Sequence, residues 1–227
     1  MNRAEREAFL EQKFKEMRHY EDALYAQGVR YIAGVDEVGR GPLAGPVVAA
    51  AVVLPADFYL PGIDDSKKLT EKKREELFDP IMSQALAVGI GVVDNRIIDT
   101  INILEATKKA MKAAIDEAAV SLYHKKGEKI QHVLLDALTL KDVEIPQTGI
   151  IKGDTSCILI AAASIIAKVS RDRMMVEYHK EYPHYSFDKN KGYATKAHYD
   201  GITACGTCAI HRQSFLRNVE TTFLKLG

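Results

Sequence analysis

Tyr31-Ile32-Ala33-Gly34-Val35-Asp36-Glu37-Val38-Gly39-Arg40-Gly41 is an apolar, strand-like run that ends on two adjacent carboxylates and a glycine-arginine-glycine turn. Carboxylates hold hard divalent cations, glycine lets backbone approach a ligand, and arginine grips phosphate. Metal-assisted phosphodiester chemistry is therefore the first reading, although Asp-Glu before a glycine turn is also a common way to leave a strand. One constraint is geometric. Successive strand residues face opposite ways, so Asp36 and Glu37 serve one site only if the strand breaks there, or if Glu37 uses its backbone carbonyl.

Outward from this run, Pro46 to Leu54 is apolar throughout, the pattern of a strand buried on both faces. Ala87 to Val93, Ile130 to Leu135 and a short segment at Gly149 to Ile151 read as three more strands. Residues 4–27 predict one charged helix carrying Phe9, Phe14, Met17, Tyr20 and Leu24, closed by Gly28. Thr70 predicts an N-cap, and Asn102 to Lys126 a long helix with Leu104, Met111, Ile115, Ala118, Ala119 and Leu122 on one face. Ile158 to Val169 is an almost wholly apolar, internal helix capped by Asp154 or Thr155, and the chain from Tyr182 is short helices and basic loops. The class is α/β: a mixed sheet flanked by helices, with an N-terminal helical extension (1–28), a main domain (29–181) and a C-terminal helical region (182–227).

The 227 residues carry 31 basic and 31 acidic side chains. A nucleic-acid partner normally leaves a basic imprint, so any phosphate-binding surface has to be local. The candidates are Lys67-Lys68, Lys72-Lys73-Arg74, Arg171 with Arg173, Lys189 with Lys191, and Arg212 with Arg217. No signal peptide or membrane span is expected, and three cysteines do not make a disulfide framework; the expected location is cytoplasmic. Cys205-Gly-Thr-Cys208 with His211 lacks a second cysteine pair, and zinc would have to recruit His198. Incidental cysteines are the simpler reading.

Asp136 ends the fourth strand, and Asp154 sits where the fifth hands over to the apolar helix. Converging with Asp36, such acids would raise one another's pKa, and two dications roughly 3.5–4 Å apart would offset the repulsion.

The run from Tyr31 to Ala50 resembles the signature of bacterial ribonuclease HII. Similar to that family's pattern, and in the same order, are Asp65-Ser-Lys-Lys-Leu-Thr70, the strand ending at Asp136, Lys152-Gly-Asp154 with Ile160 to Asp172, Lys191-Gly-Tyr-Ala-Thr-Lys-Ala-His198 and His211-Arg-Gln-Ser-Phe215. The resemblance spans roughly residues 30–217. It implies a ribonuclease H-like fold and a metal-dependent endonuclease acting on RNA–DNA hybrids and 5′ of single ribonucleotides in duplex DNA. The products would carry 3′-hydroxyl and 5′-phosphate ends. By motif, Asp36, Glu37, Asp136 and Asp154 would bind Mg²⁺ or Mn²⁺. Gly39, Arg40 and Gly41 would read the ribose 2′-hydroxyl, Tyr193 would stack on the neighbouring sugar, and Ser66, Lys67 and Lys68 would hold backbone phosphate. A monomer is expected. The family often has glycine where this chain has Ala137 and Ala194, and the N-terminal helix lies outside the signature.

Overall fold

The computed structural model describes residues 2–216; Arg217 and the end of the expected C-terminal region lie outside the described residues. In chain order the elements are α1 (Arg3–Met17), α2 (His19–Ala26), β1 (Ile32–Val38), β2 (Val47–Val53), α3 (Glu71–Gln84), β3 (Ala87–Val93), α4 (Asn95–Ile101), α5 (Ile103–Lys126), β4 (His132–Asp136), β5 (Gln147–Ile150), α6 (Gly153–Ser156) and α7 (Ile158–Glu181). A 3-10 turn (Pro183–Tyr185), α8 (Phe187–Asn190), α9 (Lys196–Cys205) and α10 (Gln213–Leu216) follow.

The five strands form one mixed sheet in the order β3-β2-β1-β4-β5. β1 runs antiparallel to β2, and β2 to β3, while β1, β4 and β5 are mutually parallel. Along β2 every residue is buried, and alternate side chains feed two cores. Ala50 and Val52 join the core under α7; Val47, Ala49, Ala51 and Val53 join the core under α5. Thr70 caps α3 as its sequence predicts, accepting from the Lys73 amide.

Both covering helices sit unusually close to the strands, at glycines. A methyl on Gly34 of β1 would lie 2.2 Å from the Leu159 backbone of α7. On the other face, methyls on Gly89 and Gly91 would lie 2.1 and 1.9 Å from the carbonyl oxygens of Ala114 and Ala110 in α5. Backbone cannot retreat as a side-chain tip can. Gly91→Ala should therefore cost about 3 kcal/mol, the upper end for overpacking. For a chain of this size that lowers Tm by roughly 6–12 °C; an unchanged melting curve would show that α5 is not held this tightly.

Three local expectations are corrected. The N-terminal helix is two helices broken at Arg18, whose side chain turns away to the Phe58 and Ala56 carbonyls; Phe14 and Met17 are buried, but Phe9 is 56% exposed. Leu104 is likewise exposed, at the first turn of α5, whereas Met111, Ile115, Ala118 and Leu122 of the expected face are buried. Asp154 does not cap α7. It occupies its own single turn, α6, and the N-cap of α7 is Cys157, which makes no side-chain cap bond. The cap comes from Glu21 of α2, whose carboxylate accepts from the Leu159 amide at 2.9 Å and the Cys157 thiol at 3.2 Å. Burial holds the Glu21 carboxyl above its ordinary pKa.

Candidate active site

Parallel pairing of β1, β4 and β5 places their carboxyl ends along one edge of the sheet, where open α/β sheets bind ligands. Val35 pairs with Leu135, so Asp36 and Asp136 sit side by side one step further along. Both lie on the α7 face, as alternation from Gly34 and Leu134 requires. Adjacent strands are about 4.8 Å apart, which makes these two carboxylates neighbours. Beyond Ile150, the partner of Asp136, the chain turns through Lys152 and Gly153 into Asp154. The Gly153 amide donates to Asp136 Oδ1 at 2.8 Å and ties that turn to the end of β4.

The strand does not break at Glu37. Pairing with β2 runs unbulged through Glu37↔Ala49 and Val38↔Val48, so the Glu37 side chain leaves on the α5 face, where it meets Arg40 Nη1 at 3.2 Å. Of the two routes open to Glu37 in a shared site, the backbone carbonyl is the one that fits this strand.

The electrostatics are those of under-neutralised acids. Burial pushes the Asp36 carboxyl well above its ordinary pKa, and Glu37, Asp136 and Asp154 push it further. Asp154 is raised by burial, then by Asp65 and Asp136. Besides Arg40 on Glu37, the cation at this group is Lys67, with Nζ 3.9 Å from Asp154 Oδ2 and a side chain 77% exposed. Burial lowers the Lys67 ammonium, but Asp36, Asp154, Asp65 and Glu37 outweigh it and leave its pKa raised. Hard oxygen donors with one distant ammonium fit Mg²⁺ or Mn²⁺. Among the described residues no three His, Cys, Asp or Glu side chains are already drawn together as ligands. Asp65, in the loop before α3, is a buried member of this acidic group that its sequence context did not single out.

The Gly39-Arg40-Gly41 turn is held from beneath by a buried guanidinium. Arg212 donates to the carbonyls of Gly39 (2.5 Å), Arg40 (3.0 Å) and Gly45 (3.0 Å). Arg171 does the same for Ala44, Pro46 and Lys191, and its Nε lies where a Cβ on Gly39 (φ +90°) would stand. With the carbonyls of Gly39 and Arg40 turned inward, planar trans peptides turn the amides of Arg40 and Gly41 outward. Tyr193, 41% exposed, lies beside the turn, its Cε1 3.7 Å from where a Gly41 Cβ would be.

Read from sequence as basic clusters, Arg171, Arg212 and Lys191 are thus interior. Ser66 is buried too, its amide donating to Ser164 Oγ, and the solvent face of its loop is Lys67 and Lys68. Ala137 adopts φ +50°, a left-handed conformation that glycine reaches without strain and that costs another residue about 1–2 kcal/mol. Cys205 is exposed, and of the two cysteines it is Cys208 whose thiol approaches His211 Nδ1, at 3.1 Å.

The ribonuclease HII family model matches residues 33–218. The chain belongs to the ribonuclease HII family. The enzyme of Caldanaerobacter subterraneus subsp. tengcongensis is 53% identical over 93% of this chain and 86% of its own length. That of Listeria monocytogenes serotype 4a is 54% identical over 93% and 77%. The crystal structure of ribonuclease H2 from Pyrococcus horikoshii OT3 superposes with a TM-score of 0.63 at 26% identity, covering 86% of this chain and 99% of the other. Bst-RNase HIII in complex with Mn²⁺ shares the fold, with a TM-score of 0.64 at 18% identity over 87% of this chain and 70% of that one. This member of the family is a metal-dependent endonuclease of the ribonuclease H type. RNA–DNA hybrids are the substrate class of that activity. Among the described residues no helix is long and apolar enough to cross a membrane.

Proposed function

We infer that this ribonuclease HII cuts the RNA strand of RNA–DNA hybrids and also cleaves 5′ of single ribonucleotides embedded in duplex DNA, leaving 3′-hydroxyl and 5′-phosphate ends. The observation that carries the reading is the register of β1 and β4, which sets Asp36 beside Asp136 on one face, with Asp154 next along the same edge. Asp36, Asp136, Asp154 and Glu37, the last through its carbonyl, would hold the dications. Two bound dications supply water activation and neutralisation of the departing oxygen. The acids are close but not yet gathered, so substrate phosphate completes the set.

The outward amides of Arg40 and Gly41 meet the ribose 2′-hydroxyl, the group that separates RNA from DNA. Tyr193, from the C-terminal region that we assign to substrate binding, stacks on the adjoining sugar. Lys67 and Lys68 hold backbone phosphate, which positions without specifying; Ser66 anchors their loop. A labelled DNA duplex with one internal ribonucleotide should be cut once, 5′ of that residue, with Mg²⁺ or Mn²⁺ and not in chelator. Cleavage of the all-DNA duplex at the same rate would overturn the reading.

A further inference from the structure

Two histidines on separate elements of the C-terminal region, His198 of α9 and His211 before α10, are buried to 0% and 1% exposure and meet each other. Their Nε2 atoms lie 3.0 Å apart. His211 Nδ1 lies 2.9 Å from the Cys208 backbone amide, and His198 Nδ1 lies 2.9 Å from the Tyr193 carbonyl. These three contacts admit one arrangement of protons. A backbone amide only donates, so His211 Nδ1 is bare and its proton is on Nε2. That N–H donates to His198 Nε2, which puts the His198 proton on Nδ1, directed at the Tyr193 carbonyl. A charged His198 would set two N–H groups against each other at the 3.0 Å contact, and a charged His211 would set its Nδ1–H against the Cys208 amide. The surroundings disfavour such a charge. Burial, and then His198, bring His211 down to about 4, and burial lowers His198. The rings facing the pair are the phenol of Tyr185 and the phenyl of Phe187, and the Cys208 thiol lies 3.1 Å from His211 Nδ1.

We propose that His198 and His211 form a neutral two-histidine relay that fixes the Tyr193 carbonyl, and with it the Tyr193 ring beside Gly41, and that they are positioning residues for recognition of the sugar at the cleaved junction. The proposal rests on the substrate-stacking role given to Tyr193 above. Two neighbouring bonds fit it: the Thr195 amide donates to the same Tyr193 carbonyl, and the Leu43 amide donates to the Gly192 carbonyl, so the relay acts where the tyrosine loop is stitched to the glycine turn.

The test compares His198→Leu, which removes the donor, with His198→Asn, whose amide can still donate to the Tyr193 carbonyl. Steady-state cleavage of a duplex with one ribonucleotide should show KM raised about tenfold by His198→Leu, the value of one lost hydrogen bond, with kcat changed less than KM. His198→Asn should remain within about threefold of the wild type. Equal losses in both variants, or a fall in kcat alone, would overturn the relay. Tyr193→Ala separates the two levels of the argument. If it cleaves like the wild type, the stacking role itself fails; if it is impaired while His198→Leu is not, only the relay fails. A folding defect in His198→Leu leaves a measurement on the unaltered enzyme: ¹⁵N imidazole spectra should show His198 protonated on Nδ1 and His211 on Nε2 at pH 7, and the opposite tautomers would overturn the proposal.

Discussion

Asp36→Asn is expected to lower cleavage by roughly 10²–10⁴-fold while making the metal-free protein more stable. The loss would follow from removing a carboxylate that we propose as a metal ligand, since charge stabilisation by bound cations is worth several kcal/mol at about 1.4 kcal/mol per tenfold in rate. The gain follows from the fold. Asp36 is 6% exposed, and burial, then Glu37, Asp136 and Asp154, hold its pKa well above 3.8. Raised above the unfolded value, this carboxyl makes folding less favourable as it ionises. The penalty is absent below the unfolded pKa near 3.8, grows as pH climbs from there, and is complete above the folded-state pKa. In chelator at pH 7 the amide variant should therefore melt higher than the wild type, the gap should close towards pH 4, and Mg²⁺ should narrow it at pH 7 by binding the wild type better. A lower Tm for the variant in chelator would mean that Asp36 serves the fold rather than a metal.

Arg212→Met should be the most damaging single change to the glycine turn. It leaves the buried carbonyls of Gly39 and Gly45 and the partly buried one of Arg40 without this donor. Each unsatisfied group costs about 1–3 kcal/mol, which lowers Tm by roughly 10 °C or more in a chain of this size. Arg212→Lys is the informative companion. Burial, then Arg171, bring the Arg212 guanidinium down to about 9, so it is still charged at neutral pH, and lysine keeps that charge. An ammonium lacks the planar fork that spans three carbonyls, and the turn loosens without losing its cation. We expect a folded protein whose kcat/KM on a single-ribonucleotide duplex falls roughly 10–100-fold, the equivalent of 1.4–3 kcal/mol, with a smaller loss in Tm than Arg212→Met. Wild-type kinetics in the lysine variant would show that the outward amides do not depend on this brace.

Much of the frame was legible because each strand announces itself in composition. The alternation-free run of β2 requires burial on both faces, and Val47–Val53 feeds one core and then the other. Asp36, Asp136 and Asp154 each have an ordinary structural use taken singly, a turn or a cap, and they stood out in the sequence only as three acids ending apolar segments within one family's motif order. The placement of Arg171 and Arg212 was not legible. A guanidinium in a basic cluster reads as a phosphate contact, and nothing local reveals carbonyls brought from 125 to 173 positions away along the chain. The cap of α7 was hidden for the same reason, since Glu21 reaches it from α2. Asp154 looked like a cap because it lies just before the apolar helix, but it belongs to the α6 turn, which the extended backbone of Cys157 separates from that helix.

Anomalous diffraction from the enzyme with Mn²⁺ and a duplex containing a single ribonucleotide with a hydrolysis-resistant linkage tests the central claim most directly. Two manganese peaks roughly 3.5–4 Å apart, in contact with Asp36, Asp136, Asp154 and the scissile phosphate, are the predicted result. A single ion away from the Asp36–Asp136 edge, or a duplex seated on another face of the protein, would contradict it.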